Sequence, residues 1–223
     1  MSAYDDFFNA IKGCSSAAQK DFEKIWSLLD FNDKEYSTDL LLDLLPGLVE
    51  RYGNAAAIAA ANMYEIIANE AGVRISSAEL SPTQEAKMID SVNYAKTLIE
   101  NGNYDIAKRV LSTAIDYYTK KPARDTVYNN AKRDGARYAR VPRGATTCEF
   151  CLMLASRGFI YHTEEDAGGD GNRYHTHCDC LPVASFDKNP VVDGYNPDYY
   201  YKLYIEMENK GKWNRAYKAK HGK

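Results

Sequence analysis

No apolar run in this 223-residue chain reaches the roughly 18 residues that a membrane-spanning helix needs. The nearest stretch, AAAIAAANMYEIIA, is mostly alanine and is interrupted by Glu65. A basic, then apolar leader is also missing: the chain opens Met-Ser-Ala-Tyr-Asp-Asp, acidic where a secretory signal is basic. These absences set the expectation of a protein kept in a reducing cytoplasm with no membrane partner. There, clustered cysteines are metal ligands or catalytic groups more often than disulfides. The formal net charge is only −3, so the molecule as a whole is no polyanion binder. Hydrophobic residues make up 45% and charged residues 26%, enough apolar material for a core. Cysteine is nearly absent outside one segment, and Cys14 alone in a helical pattern reads as a small core residue.

Charge is uneven along the chain. Residues 1–60 carry 5 basic and 10 acidic side chains, whereas Lys120 to Arg143 carries 8 basic and 2 acidic, and residues 201–223 carry 7 and 2. Lys132, Arg133, Arg137, Arg140 and Arg143, with Tyr128 and Tyr138 among them, form a candidate contact surface for nucleic acid or a partner. The competing reading is a solvated helix face.

The first two thirds read as helices. Ser37 and Thr38 before the leucine run 40–45 predict a capped start, and Pro46 predicts a kink or the first turn of a new helix. A stop is expected at Gly72. Ser81-Pro82-Thr83-Gln84 predicts a capping box opening a helix whose apolar face holds Met88, Val92, Ala95 and Leu98. Asn103 is the next expected cap, Ile106, Val110, Leu111, Ala114 and Tyr118 follow at helical spacing, and Pro122 predicts a further helix start. Five or six helical elements are thus expected before Gly135. Beyond it ARYARVP, FIYHT and CLPVASF alternate as short strands. Asn196-Pro197-Asp198 predicts the cap of a tyrosine-rich last helix, followed by a basic tail. The fold class is therefore mostly α with a small α+β C-terminal module. Its parts are a helical domain over 1–135, a Cys/His-rich zinc-binding module over 136–190, and a final helix and basic tail over 191–223.

The module holds what the rest lacks. Four of the five cysteines and three of the four histidines lie between Thr146 and Val183. Cys148-Glu-Phe-Cys151 has the gap that lets two thiolates face one ion about 2.3 Å away while backbone N–H groups support the sulfurs. His175 and Cys178 repeat the gap, with His177 and Cys180 beside them. The expected set is Cys148, Cys151, His175 and Cys178, with Cys180 as first alternate, closed around a structural zinc. Two disulfides and unligated buried thiols are the competing readings. A segment of this size buries little apolar surface unaided. Zinc supplies on the order of 10 kcal/mol in comparable peptide sites.

The motifs point away from an enzyme. His162-Thr-Glu164 has the H-x-E form of zinc deaminases, but it follows the cysteine pair instead of preceding it, and the expected proline is missing. H-E-x-x-H, G-x-S-x-G and a phosphate-binding glycine loop are absent. A cysteine nucleophile beside His177 remains an alternative.

The run RYARVPRGATTCEFCLMLASRGFIYHTEEDAG followed by YHTHCDC resembles the Mu F-like minor capsid or head-morphogenesis proteins of tailed phages, in the form found in phages of actinobacteria and related hosts. The matching residues are Arg140, Pro142, Cys148, Cys151, Ala155 to Gly158, Tyr161, His175, Cys178 and Cys180, and YGNAAAIAAANMYEIIANEAGV is similar to the family's helical region. The resemblance covers about residues 40–185. It implies a structural part inside the virion head near the portal, assisting procapsid assembly and DNA packaging or delivery. Portal and capsid proteins and packaged DNA would be the partners, with no small-molecule substrate, and the host cytoplasm the place of assembly. The alternatives are a zinc-containing nucleic-acid-binding protein and a small phage-encoded Cys/His enzyme or toxin.

Overall fold

A computed structural model describes residues 2–144, 147–161, 178–187 and 190–209. Among these residues the chain is mostly helical, with six helices and one two-stranded sheet: α1 (Ala3–Ser27), α2 (Lys34–Glu70), α3 (Glu85–Glu100), α4 (Tyr104–Asp134), β1 (Arg137–Pro142), α5 (Glu149–Ala155), β2 (Cys180–Ser185) and α6 (Pro197–Asn209). Two compact units divide it: Met1–Ile66 with Ser76–Asn129, and Ile67–Ile75 with Asn130–Lys223.

The first unit is built from amphipathic helices. Ser2 caps α1 through a reciprocal box with Asp5, which satisfies amides that the helix start leaves unpaired. Phe7, Phe8, Ile11, Ala18 and Phe22 recur on its buried face. Ser15 bonds Asp116, Gln19 bonds Ser112, and Lys108 pairs with Glu23. As the α1 number rises the α4 number falls in step, so these helices run antiparallel. Phe22, Leu41, Leu45, Val49, Met88, Val92, Ala95, Ile99, Leu111 and Ile115 form one apolar core. On α3 the buried face is Met88, Val92, Ala95 and Ile99, with Leu98 only packed at its margin.

Both interior prolines lie inside continuous helices, so four helices precede Gly135, not five or six. α2 begins a turn before the expected cap. Asp33 Oδ1 accepts from the Tyr36 amide at 3.0 Å, and Ser37 and Thr38 are buried within the helix, their hydroxyls turned back on the Asp30 and Lys34 carbonyls. Pro122 ordinarily costs a helix one hydrogen bond and a steric clash. Its ring packs where Gly53 of α2 has no side chain: a Cβ there would lie 3.2 Å from Pro122 Cγ and 2.8 Å from Thr83 Cγ2. Tertiary packing overrides the local breaker. Nor does Ser81 cap α3, which starts at Glu85 without a side-chain cap. The Ser81 amide donates to Thr126 Oγ1 at 2.9 Å and its hydroxyl accepts from Asn129 Nδ2 at 3.0 Å, tying the connecting segment to α4.

In the second unit β1 and β2 pair antiparallel, Arg137 opposite Ser185 and Pro142 opposite Cys180. Tyr138 and Tyr161 exchange backbone bonds at 3.0 and 3.3 Å, which extends the ladder by one bridge. α5 packs on β1 and α6. The Tyr161 and Tyr195 hydroxyls donate to the last α5 carbonyls, Leu154 O at 2.9 Å and Ala155 O at 2.6 Å. Asn196 caps α6 through the Asp198 and Tyr199 amides, with Pro197 in the first turn.

Candidate metal centre

α5 is too short for periodicity to reveal, and it sets the first half of the site. Cys148 is its N-cap: Sγ accepts from the Cys151 amide at 3.3 Å, so one sulfur fixes the turn that carries the other. The second half is the entrance of β2, where Cys178 and Cys180 stand on either side of Asp179. That aspartate clamps the halves together. Its Oδ2 accepts from the Gly144 amide at 2.8 Å and from Thr147 Oγ1 at 3.2 Å, holding the approach to Cys148 against the approach to Cys180.

Cys151, Cys178 and Cys180 bring their sulfurs within 4.8 Å of one another, all three side chains buried. Cys151 Sγ and Cys178 Sγ are 3.3 Å apart although 27 residues separate them in sequence. None of the cysteines is in a disulfide. Thiolates on one tetrahedral ion at about 2.3 Å stand about 3.8 Å from each other, so this spacing suits a single ion. The donors are soft and sealed from water, the chemistry that selects zinc-like cations over calcium or magnesium. Hydrogen bonding with Cys148 first, then with Cys178 and Cys180, and burial push the Cys151 thiol well up, while burial chiefly raises Cys180. These upward shifts favour the thiol form of Cys151 and Cys180 without an ion, and a bound cation would reverse that balance by displacing the protons.

The expected ligands divide in three ways. Cys151 and Cys178 meet, and Cys180, the alternate, completes the group of three. Cys148 stands outside that group but contacts Cys151. His175 lies outside the described residues, as do His162, His177 and the basic tail.

Arg140 takes a different place from the one its charge suggested. It is fully buried, and Nη2 lies 3.4 Å from Cys178 Sγ and 3.6 Å from Cys151 Sγ, facing sulfur instead of solvent. Counting charge along the sequence could not separate it from its neighbours, and strand alternation could not either, because β1 is buried on both faces from Tyr138 onward. Lys132, Arg133 and Arg143 are exposed and Arg137 is half-buried. Arg133 pairs with Asp134 at 2.8 Å and Arg143 donates to the Asp193 carbonyl at 3.3 Å. Upstream, Lys120 pairs with Asp116, Lys121 with Asp125, and Arg124 is buried, so much of the basic balance is met within the fold.

The VG15 protein family matches residues 1–207, nearly the whole chain. The chain belongs to this family. Membership makes it a viral gene product. The match takes in α1 and nearly all of α6, which lie beyond the sequence resemblance to head proteins. No curated protein and no solved structure matches the chain. None of the described helices is long and apolar enough to cross a membrane.

Proposed function

We propose that the chain is a minor head protein of a tailed phage, an assembly part whose second unit is made rigid by one structural zinc. The observation that carries this reading is the sealing of three cysteine sulfurs, gathered from two distant segments, in the interior of that unit. A catalytic metal keeps a position open to substrate and water, whereas buried soft donors favour a closed, load-sharing ion. Cys151, Cys178 and Cys180 would hold the zinc, with Cys148 or a histidine from the 175–177 segment as fourth donor. The cation would supply the cohesion that a small strand-and-loop layer lacks. Family membership supports a viral setting, and the Arg-x-Pro, C-x-x-C and C-x-C pattern supports a place in the head.

In this reading the protein is not an enzyme. It docks on portal and capsid proteins, and the exposed Lys132, Arg133 and Arg143 face packaged DNA or an acidic partner surface. The test is mass spectrometry of gradient-purified procapsids and virions from infected cells. The protein is expected in both at low copy number. Its absence from both, with abundance in the soluble lysate, would overturn the assignment.

A further inference from the structure

We propose that Arg140 is the counter-charge of the metal centre: its guanidinium holds the Cys151 and Cys178 sulfurs as ligands and offsets the negative charge of the thiolate-bound ion. This rests on the metal centre proposed above and deepens it. Arg140 lies on β1 opposite Pro182, two positions along the register from the Pro142–Cys180 pair, so the sheet delivers it to the mouth of β2. One nitrogen reaches both sulfurs, and these come from segments 27 residues apart. The guanidinium carbon also lies 5.9 Å from the Phe150 ring centroid, between the two cysteines of α5 and its cap.

The chemistry fixes the direction of these contacts. Arginine is donor-only and always charged, so the sulfurs accept. A charge removed from water is costly unless matched by opposite charge. A divalent ion on three thiolates carries a net charge of −1 and on four −2, so one guanidinium cancels all or half of it. Donors to the sulfurs also reduce repulsion between thiolates packed this closely. Lysine, a single point donor on a flexible stem, would serve such a bridge less well than the planar fork.

The test uses the purified full chain and its Arg140→Met and Arg140→Lys variants. Zinc affinity is measured by competition with a chromophoric chelator, and cobalt(II) substitution reports thiolate coordination through its charge-transfer band. Wild type is expected to hold zinc. Arg140→Met is expected to bind about 10- to 100-fold more weakly, with a shifted cobalt band, and Arg140→Lys to fall between. Melting with and without zinc separates the roles, because loss of a counter-charge destabilises the zinc-bound state more than the metal-free one. Unchanged zinc affinity with equal melting losses in both states would reduce Arg140 to packing and overturn the inference while leaving the metal centre standing. Wild type that takes up neither zinc nor cobalt overturns the metal centre and this inference together. If Arg140→Met fails to fold, Arg140→Lys carries the test, and unaltered affinity and band position in it count against the inference.

Discussion

The two units hide different things. In the first, the core cluster is leucine, isoleucine, valine, methionine, alanine and aromatic side chains from four long helices, contiguous through Phe22, Leu45, Val92 and Leu111, and Arg124 is buried in the same unit. In the second, short elements bury three thiols and a guanidinium alongside Leu152, Leu154, Val183 and a pair of tyrosines. Apolar burial stabilises the first at about 25 cal/mol per Å² and depends on no ligand. The second places polar and ionisable groups where apolar ones would have been the simplest filling, and such groups hold a fold together when their partners are complete. With the proposed zinc bound, one chain would combine cohesion by area with cohesion by coordination.

That contrast can be broken most forcefully at the cysteines. Cys178→Ser is expected to reduce co-purified zinc from about one per chain to near none and to unfold the second unit, a loss on the order of several kcal/mol. Metal analysis and circular dichroism check it. Helical signal from the first unit should persist. Leu111→Ala is the mirror experiment. It opens a cavity in the apolar core, costs about 2–5 kcal/mol in chemical denaturation, and leaves zinc content unchanged.

Subtler changes sharpen the comparison. A Cβ at Gly144 would lie 2.7 Å from Asp179 Cβ and 2.8 Å from Asp179 Oδ2, so Gly144→Ala forces the clamp apart. The expected cost is about 1–3 kcal/mol together with weaker zinc retention under chelator challenge. Tyr161 gives a pH signature. Burial pushes its phenol up to about 12, above its ordinary 10.0. A group raised in the folded state favours folding while it stays protonated, so the second unit should hold its stability below pH about 10 and lose it as pH climbs towards 12. Tyr161→Phe removes the bond to Leu154 O, lowers stability by about 1 kcal/mol and reduces that alkaline limb in ultraviolet-monitored titration, leaving the part due to Tyr195, whose phenol burial also pushes up. Of the same size but confined to the first unit, Ser2→Ala removes the α1 cap and is expected to cost about 1 kcal/mol in chemical denaturation.

Legibility in the sequence followed the same divide. Where structure is local, the residues announced it: the α3 face through Met88, Val92 and Ala95, the two strands over 137–142 and 180–185, and the Asn196-Pro197 start of α6. Where distant packing decides, they misled. Pro122 read as a helix start and Pro46 as a kink or a first turn because the helix clash is local, while the space opposite Pro122 is made by Gly53, far away in sequence. Ser81 had the form of a cap, and a tertiary bond to α4 claimed it. At the site, ligand type and spacing placed Cys151 and Cys178 in the expected set and Cys180 as its alternate, while Cys148, also in that set, stands outside the group of three; Asp179 and Arg140 have roles that only the paired strands reveal. The Ser2–Asp5 box was visible in the first five residues, where only their acidity was read.

The central claim is that coordination, and not area, holds the second unit. Hydrogen exchange read by mass spectrometry on the zinc-loaded protein, before and after chelation, tests it most directly. Peptides spanning 137–142, 149–155 and 180–185 are expected to lose protection together when the metal is stripped, while those from 88–99 and 104–118 keep theirs. Equal protection of both sets with and without metal would contradict the account.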